Sequence, residues 1–243
     1  MSEPDEFSPS GQPIYRHKER EREWQPPDMH DSSMEAIEEH FERFIGKPES
    51  VFHEIISDLV HIDVHLIPPS TKNNHFTLFT TGMSDLPMKA PEGAEDCRYA
   101  EIMVKLPASW KLDQDSLDDE ANYWPLRCLK MLARMPHEYD TWLSYGHTVP
   151  NGDPPEPYAP NTKLCCALLL PPVFEPDGFA SLFVSPEKTI NIIEFYPIYL
   201  EEMNLKLSKG TDGVTAGFDK YNISPVLDVQ RRNVARKRLF GIF

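Results

Sequence analysis

The chain reads as an α+β protein, a single mostly antiparallel or mixed sheet covered by helices. Three observations carry that reading. Short runs with apolar residues at every second position cluster together along the chain. Longer segments at helical period stand ahead of these runs, among them and after them. Strict alternation of strand with helix, the mark of a parallel doubly wound sheet, is missing, and no internal repeat is found. Proline, at 24 of 243 residues, is about twice as common as usual, which favours turns and strand ends over long helices.

In chain order, residues 1–31 are rich in proline and mixed charge and poor in apolar side chains. They bury too little to offset the entropy of ordering, so a disordered or loosely docked tail is expected. "SSMEAIEEHFERFIGKP" is a helix. Ser32 and Glu35 have capping-box spacing, Met34, Ile37, Phe41, Phe44 and Ile45 share one face, and Gly46 and Pro48 end it. "LVHIDVHLIPP" alternates, with Ile62, Val64 and Leu66 on one face and His61, Asp63 and His65 on the other, the pattern of a half-buried strand. "HFTLFTTGM" and "YAEIMVKLP" are further strands, and the short loop "PSTKNN" makes the first two an antiparallel pair.

"YWPLRCLKMLARMPHEY" is a second helix, with Pro125 in its first turn. Trp124, Cys128, Met131, Leu132 and Met135 form its apolar stripe, and Pro136 ends or kinks it. "DTWLSYGHTVP" is expected as a strand, followed by a proline-rich loop. "KLCCALLLPP", "FASLFVS" and "TINIIEFYPIY" are three more strands. "YLEEMNLKLSKG" is a helix stopped by Gly210, and "DGVTAGFDKYN" is a short helix. Residues 32–233 thus form one domain, and 234–243 are a basic, then apolar, tail. The basic residues Arg231, Arg232, Arg236, Lys237 and Arg238 are expected on a solvated terminal helix, paired with the domain's own acids.

The net charge of −15 repels nucleic acid and anionic membranes and favours a basic partner. Cys97, Cys128, Cys165 and Cys166 include no C-x-x-C pair and are read as reduced thiols of a cytoplasmic protein. The first residues lack the apolar core of a signal peptide. The longest uncharged apolar stretch, 164–174, is too short to span a bilayer and holds two prolines.

Two groups of residues invite a chemical reading. The stretch "HFTLFTTGMSDLPM" (75–88) could hold Ser84 as a nucleophile on a sharp turn. It lacks the second glycine of G-x-S-x-G, and no helix follows. Gly82, Ser84 and Asp85 are therefore expected to shape a turn, with Ser84 and Asp85 satisfying its amides. On that view Asp85→Ala costs more stability than Ser84→Ala. His61, Asp63 and His65 alternate on a strand and so share a face, where they could ligate a metal. With His53 and His75 nearby in the sequence this is the best metal candidate in the chain, but no H-E-x-x-H, C-x-x-C or clear fourth-ligand cluster accompanies it, so no metal is expected. A hydrolase or metal-dependent enzyme using His61, Asp63, His65 and Ser84 is the alternative. Phosphate-binding glycine motifs are absent and only 11 glycines are present, so no cofactor is expected.

Several stretches, in order, resemble the suppressor-of-fused family. "HIDVHLIPPSTKNNHFTLFTTGMSDLPM" looks like its strand pair and G-[ML]-S-D turn. "YAEIMVKLPASWK" is similar to its next strand and tryptophan. "WPLRCLKMLARMPHEYDTWLSYGHTVPNG" is like its W-P helix and G-[HD]-x strand. "INIIEFYPIYLEEMNLKLSKGTDGVTAGF" resembles its late strand, helix and T-D-G segment. The resemblance spans residues 34–233 and looks like the N-terminal lobe of the animal member, which clamps an extended peptide between two lobes. It implies a non-enzymatic module that binds a protein. The partner is a basic toxin, as for an immunity protein, or a client segment, taken by strand addition. Tyr145, Gly146, His147 and Thr148, within the family's G-[HD]-x strand, are the candidate partner-binding strand.

Overall fold

One pairing among the eight strands of the main sheet is parallel and the rest are antiparallel. The computed structural model describes residues 4–18, 23, 25–26, 33–54 and 58–236. The first element is a hairpin of β1 (Glu6–Phe7) and β2 (Pro13–Ile14). It touches the body of the domain, with Ser10 N–H donating to Leu207 O at 3.0 Å and the His17 ring 5.3 Å from that of Tyr139. Helix α1 (Met34–Phe44) follows. Its N-cap is Ser33, whose side chain makes no capping bond. Ser32, assigned to a capping box, lies outside the described residues. Ile37 and Phe41 are buried as expected, but Met34 is exposed, because it lies in the first turn, at the helix end.

The sheet then builds outward from one edge. β3 (Ser50–Phe52), which the sequence pattern did not reveal, pairs with β4 (Asp63–Ile67), and β4 with β5 (His75–Thr81). β5 pairs with β6 (Ala100–Pro107). Every residue of β4 is buried, which corrects the half-buried reading. Val64 and Leu66 face the helix α2 (Glu120–Glu138), packing with Leu129 and Leu132. His65, on the opposite face, stacks on Phe79 at 4.9 Å, next to α1.

Helix α2 begins earlier than the pattern implied, because the Asp119 carboxylate caps it by accepting from Ala121 N–H at 2.9 Å. Pro125 therefore sits beyond the first turn. The carbonyl its missing N–H leaves, Ala121 O, accepts instead from Asn161 Nδ2 at 3.3 Å. Pro136 does not end the helix; two more helical residues, His137 and Glu138, follow it. The buried face is Trp124, Leu126, Cys128, Leu129, Leu132 and Ala133, while Met131 and Met135 are only partly buried.

The expected strand across 140–150 shrinks to β7 (Thr148–Pro150), since Gly146 turns the chain at φ 80°. β7 pairs with β8 (Leu164–Leu170), and β9 (Ser181–Ser185) pairs with β10 (Lys188–Tyr199). β10 is central. It runs antiparallel to β8 and parallel to β6, and α2 lies between β6 and β10 in the chain, in the long crossover a parallel pair needs. The path across the sheet is β3-β4-β5-β6-β10-β8-β7. Helices α3 (Leu200–Lys209) and α4 (Thr211–Tyr221) close the domain. The segment beyond them forms no terminal helix within 222–236. Arg231 and Arg236 do pair with the domain's acids, Glu202 at 2.5 Å and Glu201 at 2.9 Å.

Apolar clusters lie on both faces. Under α2 are Val64, Leu78, Val104, Ile193 and Phe195 with the helix's own buried face. Under α1, Phe41 stacks on Phe79 at 3.7 Å beside Met103, Phe179 and Ile192. Under α4 are Leu168, Ile198, Val214 and Phe218. Each such side chain contributes about 1.5–3 kcal/mol when fully buried. No helix of the described residues is long and apolar enough to cross a membrane.

Candidate functional site

The stretch after β5 tightens into one 3-10 turn, Met83–Asp85, entered through Gly82 at φ 98°. A side chain at Gly82 is excluded twice, by that left-handed backbone and by His61 O, which a Cβ would meet at 1.9 Å. Ser84 is wholly buried. Its hydroxyl donates to Glu101 Oε1 at 2.6 Å, and its N–H donates to the same oxygen at 2.9 Å. Thr80 Oγ1 donates to Glu101 Oε2 at 2.6 Å and accepts from Ile102 N–H at 2.9 Å. So Ser84 does not serve the turn's own amides; it holds a carboxylate on the neighbouring strand β6. Asp85 accepts from Ser33 N–H at 3.4 Å, ahead of α1.

Glu101 is the chemical centre of this turn. Burial pushes its carboxyl up to about 7, against the opposing pull of the Ser84 and Thr80 hydrogen bonds. The Ser84 hydroxyl is 0% exposed and points its proton at that carboxyl, inside the domain rather than toward solvent.

The three strand residues His61, Asp63 and His65 part company. His65 Nε2 lies 2.9 Å from Thr81 Oγ1, and Nδ1 lies 3.0 Å from Glu38 of α1. Burial lowers its pKa, with Glu38 and Asp63 opposing. It is a core histidine. His61 and Asp63 stay together, with Nε2 to Oδ1 at 3.1 Å. His53, just past β3, takes the place expected for His65, its Nδ1 3.0 Å from Asp63 Oδ2. The cause is register: Phe52 pairs with Val64, so the next residue out, His53, comes opposite Asp63.

The segment 145–148 is an outer part of the sheet. Gly146 N–H donates to Leu169 O at 2.7 Å, and Leu169 N–H donates to His147 O at 2.9 Å. Tyr145 OH donates to Ile192 O at 3.1 Å and Ala180 O at 3.3 Å. His147 is pushed down to about 4 by burial, reinforced by Lys206. β7 offers only three residues as an edge and ends in Pro150, which has no N–H.

β9 is a longer edge. Asn191 of β10 pairs with Ala100 on one side and Ser181 of β9 on the other. β9 therefore lies on the β8 side of β10, and among the described residues it pairs with no second strand. Its Phe183 and Val184 are exposed, as are Val173 and Phe174 in the loop before it.

Under that same loop, Lys105 of β6 is almost wholly buried between two acids, Glu175 at 2.5 Å and Glu194 at 3.0 Å. Tyr196 OH donates to Glu194 Oε2 at 3.2 Å. Burial raises the Glu194 carboxyl, and Lys105 pulls it back down.

Sequence reasoning passed over Glu101, Lys105 and Glu194, and noted His53 only as a histidine near the three in the chain. For the first three a signal existed: a charged residue inside an otherwise apolar strand, "YAEIMVKLP" or "TINIIEFYPIY", must have a buried partner. His53 stood outside any recognised strand.

The profile of the suppressor of fused protein family (SUFU) matches residues 58–232. The fold is similar to two crystal structures. One, described as a SUFU homolog from Neisseria gonorrhoeae, aligns with a TM-score of 0.61 at 13% identity, over 84% of this chain and 97% of its own. The other, from a Sufu–Fu complex, aligns with a TM-score of 0.57 at 13% identity, over 84% of this chain and 93% of its own. No curated protein sequence matches the chain.

Proposed function

The chain belongs to the suppressor-of-fused family, and from that premise we propose that it is a non-enzymatic module that binds an extended segment of a protein partner. The observation that carries the reading is the edge of β9, which has no second strand among the described residues and is flanked by exposed Val173, Phe174, Phe183 and Val184. An added strand satisfies the edge's backbone groups, and the apolar side chains give its specificity. That one similar fold was crystallised in a Sufu–Fu complex supports a protein as the ligand. The burial of Ser84 against Glu101 supports the absence of serine chemistry.

The partner in this reading is basic, a toxin or a client segment, because the chain carries −15 and complementary charge speeds encounter. Tyr145, through its bond to Ala180 O, forms the end wall of the binding edge, and Gly146, His147 and Thr148 continue past it. The four free thiols suit a reducing cytoplasm.

Selection of random peptides displayed on phage against the immobilised chain tests the proposal. The expected binders are rich in Lys and Arg. They bind a Phe183→Glu, Val184→Glu double variant at least about tenfold more weakly, about 1.4 kcal/mol, and weaken in salt. Binders that hold equally to both proteins would place the interaction elsewhere.

A further inference from the structure

We propose that His53, His61 and Asp63 form a binding site for a divalent transition-metal ion, with zinc the best fit. The three residues come from the two arms of the β3–β4 hairpin. β3 delivers His53 opposite Asp63, and alternation along the chain places His61 and Asp63 on one face. One ligand atom from each lies within 4.8 Å of the others. Asp63 is the hub, 3.0 Å from His53 Nδ1 and 3.1 Å from His61 Nε2. Ligands about 2.0–2.2 Å from a tetrahedral zinc stand roughly 3.4 Å apart. Small movements of two side chains therefore open the space an ion needs.

The surroundings suit a three-ligand site with an open position. His53 is 70% exposed at its side chain, so an ion enters from solvent and keeps water as its remaining ligand, whereas Asp63 is 6% exposed. The Glu54 N–H donates to Asp63 Oδ1 at 3.2 Å and fixes the carboxylate's orientation, as outer partners of metal ligands do. Glu54 itself is engaged, pairing with Arg134 and accepting from Ile62 N–H, so it is not the fourth ligand. Lys130 is the opposing charge. Its Nζ donates to His53 O at 3.4 Å and its positive charge interacts with Asp63, so metal binding works against it. Two imidazoles and one carboxylate suit zinc, cobalt, nickel or iron(II), and magnesium and calcium poorly, since those prefer all-oxygen shells.

The test titrates tag-free, chelator-treated protein with zinc alone by calorimetry, and with cobalt(II) by visible absorption. The expected result is one zinc per chain, cobalt bands of a four- or five-coordinate site, and a thermal midpoint that rises with zinc. His53→Ala should weaken zinc at least about tenfold, the scale on which even outer partners of metal ligands matter. Because His53 is exposed, that variant keeps its fold, whereas Asp63→Asn disturbs a buried residue. His17→Ala, outside the triad, should bind as the wild type does. Wild-type protein that takes up no zinc, or zinc binding undiminished in His53→Ala, overturns the proposal.

Discussion

Glu101 and Glu194 lie on neighbouring strands, β6 and β10, and both are wholly buried. Among the described residues, Glu101 is met by neutral donors alone, the Thr80 and Ser84 hydroxyls and the Ser84 amide. Glu194 is met by a cation, Lys105, that also serves Glu175. Burial raises both carboxyls. Neutral donors orient an acid but leave it free to keep its proton near neutrality. A buried ammonium stabilises the charged form, and each partner is then costly to remove. The first arrangement pins a turn to a strand, and the second ties the 171–180 loop to the sheet floor.

The largest test of that difference is Lys105→Met. It leaves the buried Glu194 and the partly buried Glu175 facing one another without a cation, and a loss of about 3–5 kcal/mol is expected by urea unfolding. A loss below about 1 kcal/mol would mean that the two acids share a proton and that the ammonium matters little.

The second test is pH. The folded Glu101 carboxyl, at about 7, holds its proton more tightly than the unfolded one. Its stabilising effect is therefore full below about 4.5 and lost as pH rises through 7, on the order of 3 kcal/mol. Glu194 shifts in the same direction. Buried histidines such as His65, His137 and His147, whose pKa values are lowered, act oppositely and lose stability as pH falls. The informative quantity is thus the difference between wild type and Glu101→Gln. The wild type should lose stability relative to the variant between pH 5 and 7, by chemical denaturation at each pH; parallel profiles would contradict the assignment.

The smallest effects separate the turn residues. Ser84→Ala removes a hydroxyl from a buried carboxylate and should cost about 1–3 kcal/mol. Asp85→Ala removes the long, part-buried bond from Ser33 N–H among its contacts and should cost about 0.5–1.5 kcal/mol. This reverses the order expected from sequence. The two should also move Glu101 oppositely in a carboxyl NMR titration. Loss of the Ser84 donor raises its pKa, and loss of the Asp85 charge lowers it. Shifts of the same sign would break the account.

How much was legible follows from range. The α1 stripe of Ile37 and Phe41, the β5 run and the left-handed break at Gly82 are local patterns, and the structure carries each of them. β3 escaped because three residues hold no period. The expected strand at 140–150 failed because a turn glycine outranked its apolar residues. At the candidate sites, His61 and Asp63 were paired correctly by alternation, while His65 was grouped with them because alternation says which face a residue shares, not what covers it.

By itself the sequence determined the α+β class, the order of most helices and strands, and the placing of a turn at Gly82, because each depends on contacts within a few residues. Only the tertiary structure decided that Ser84 answers to Glu101, that Lys105 lies between Glu175 and Glu194, and that His53 rather than His65 joins His61 and Asp63. Those outcomes depend on strand register and on which helix covers which face. Register is set by the sum of packing over the whole sheet, so no short stretch of the chain encodes it.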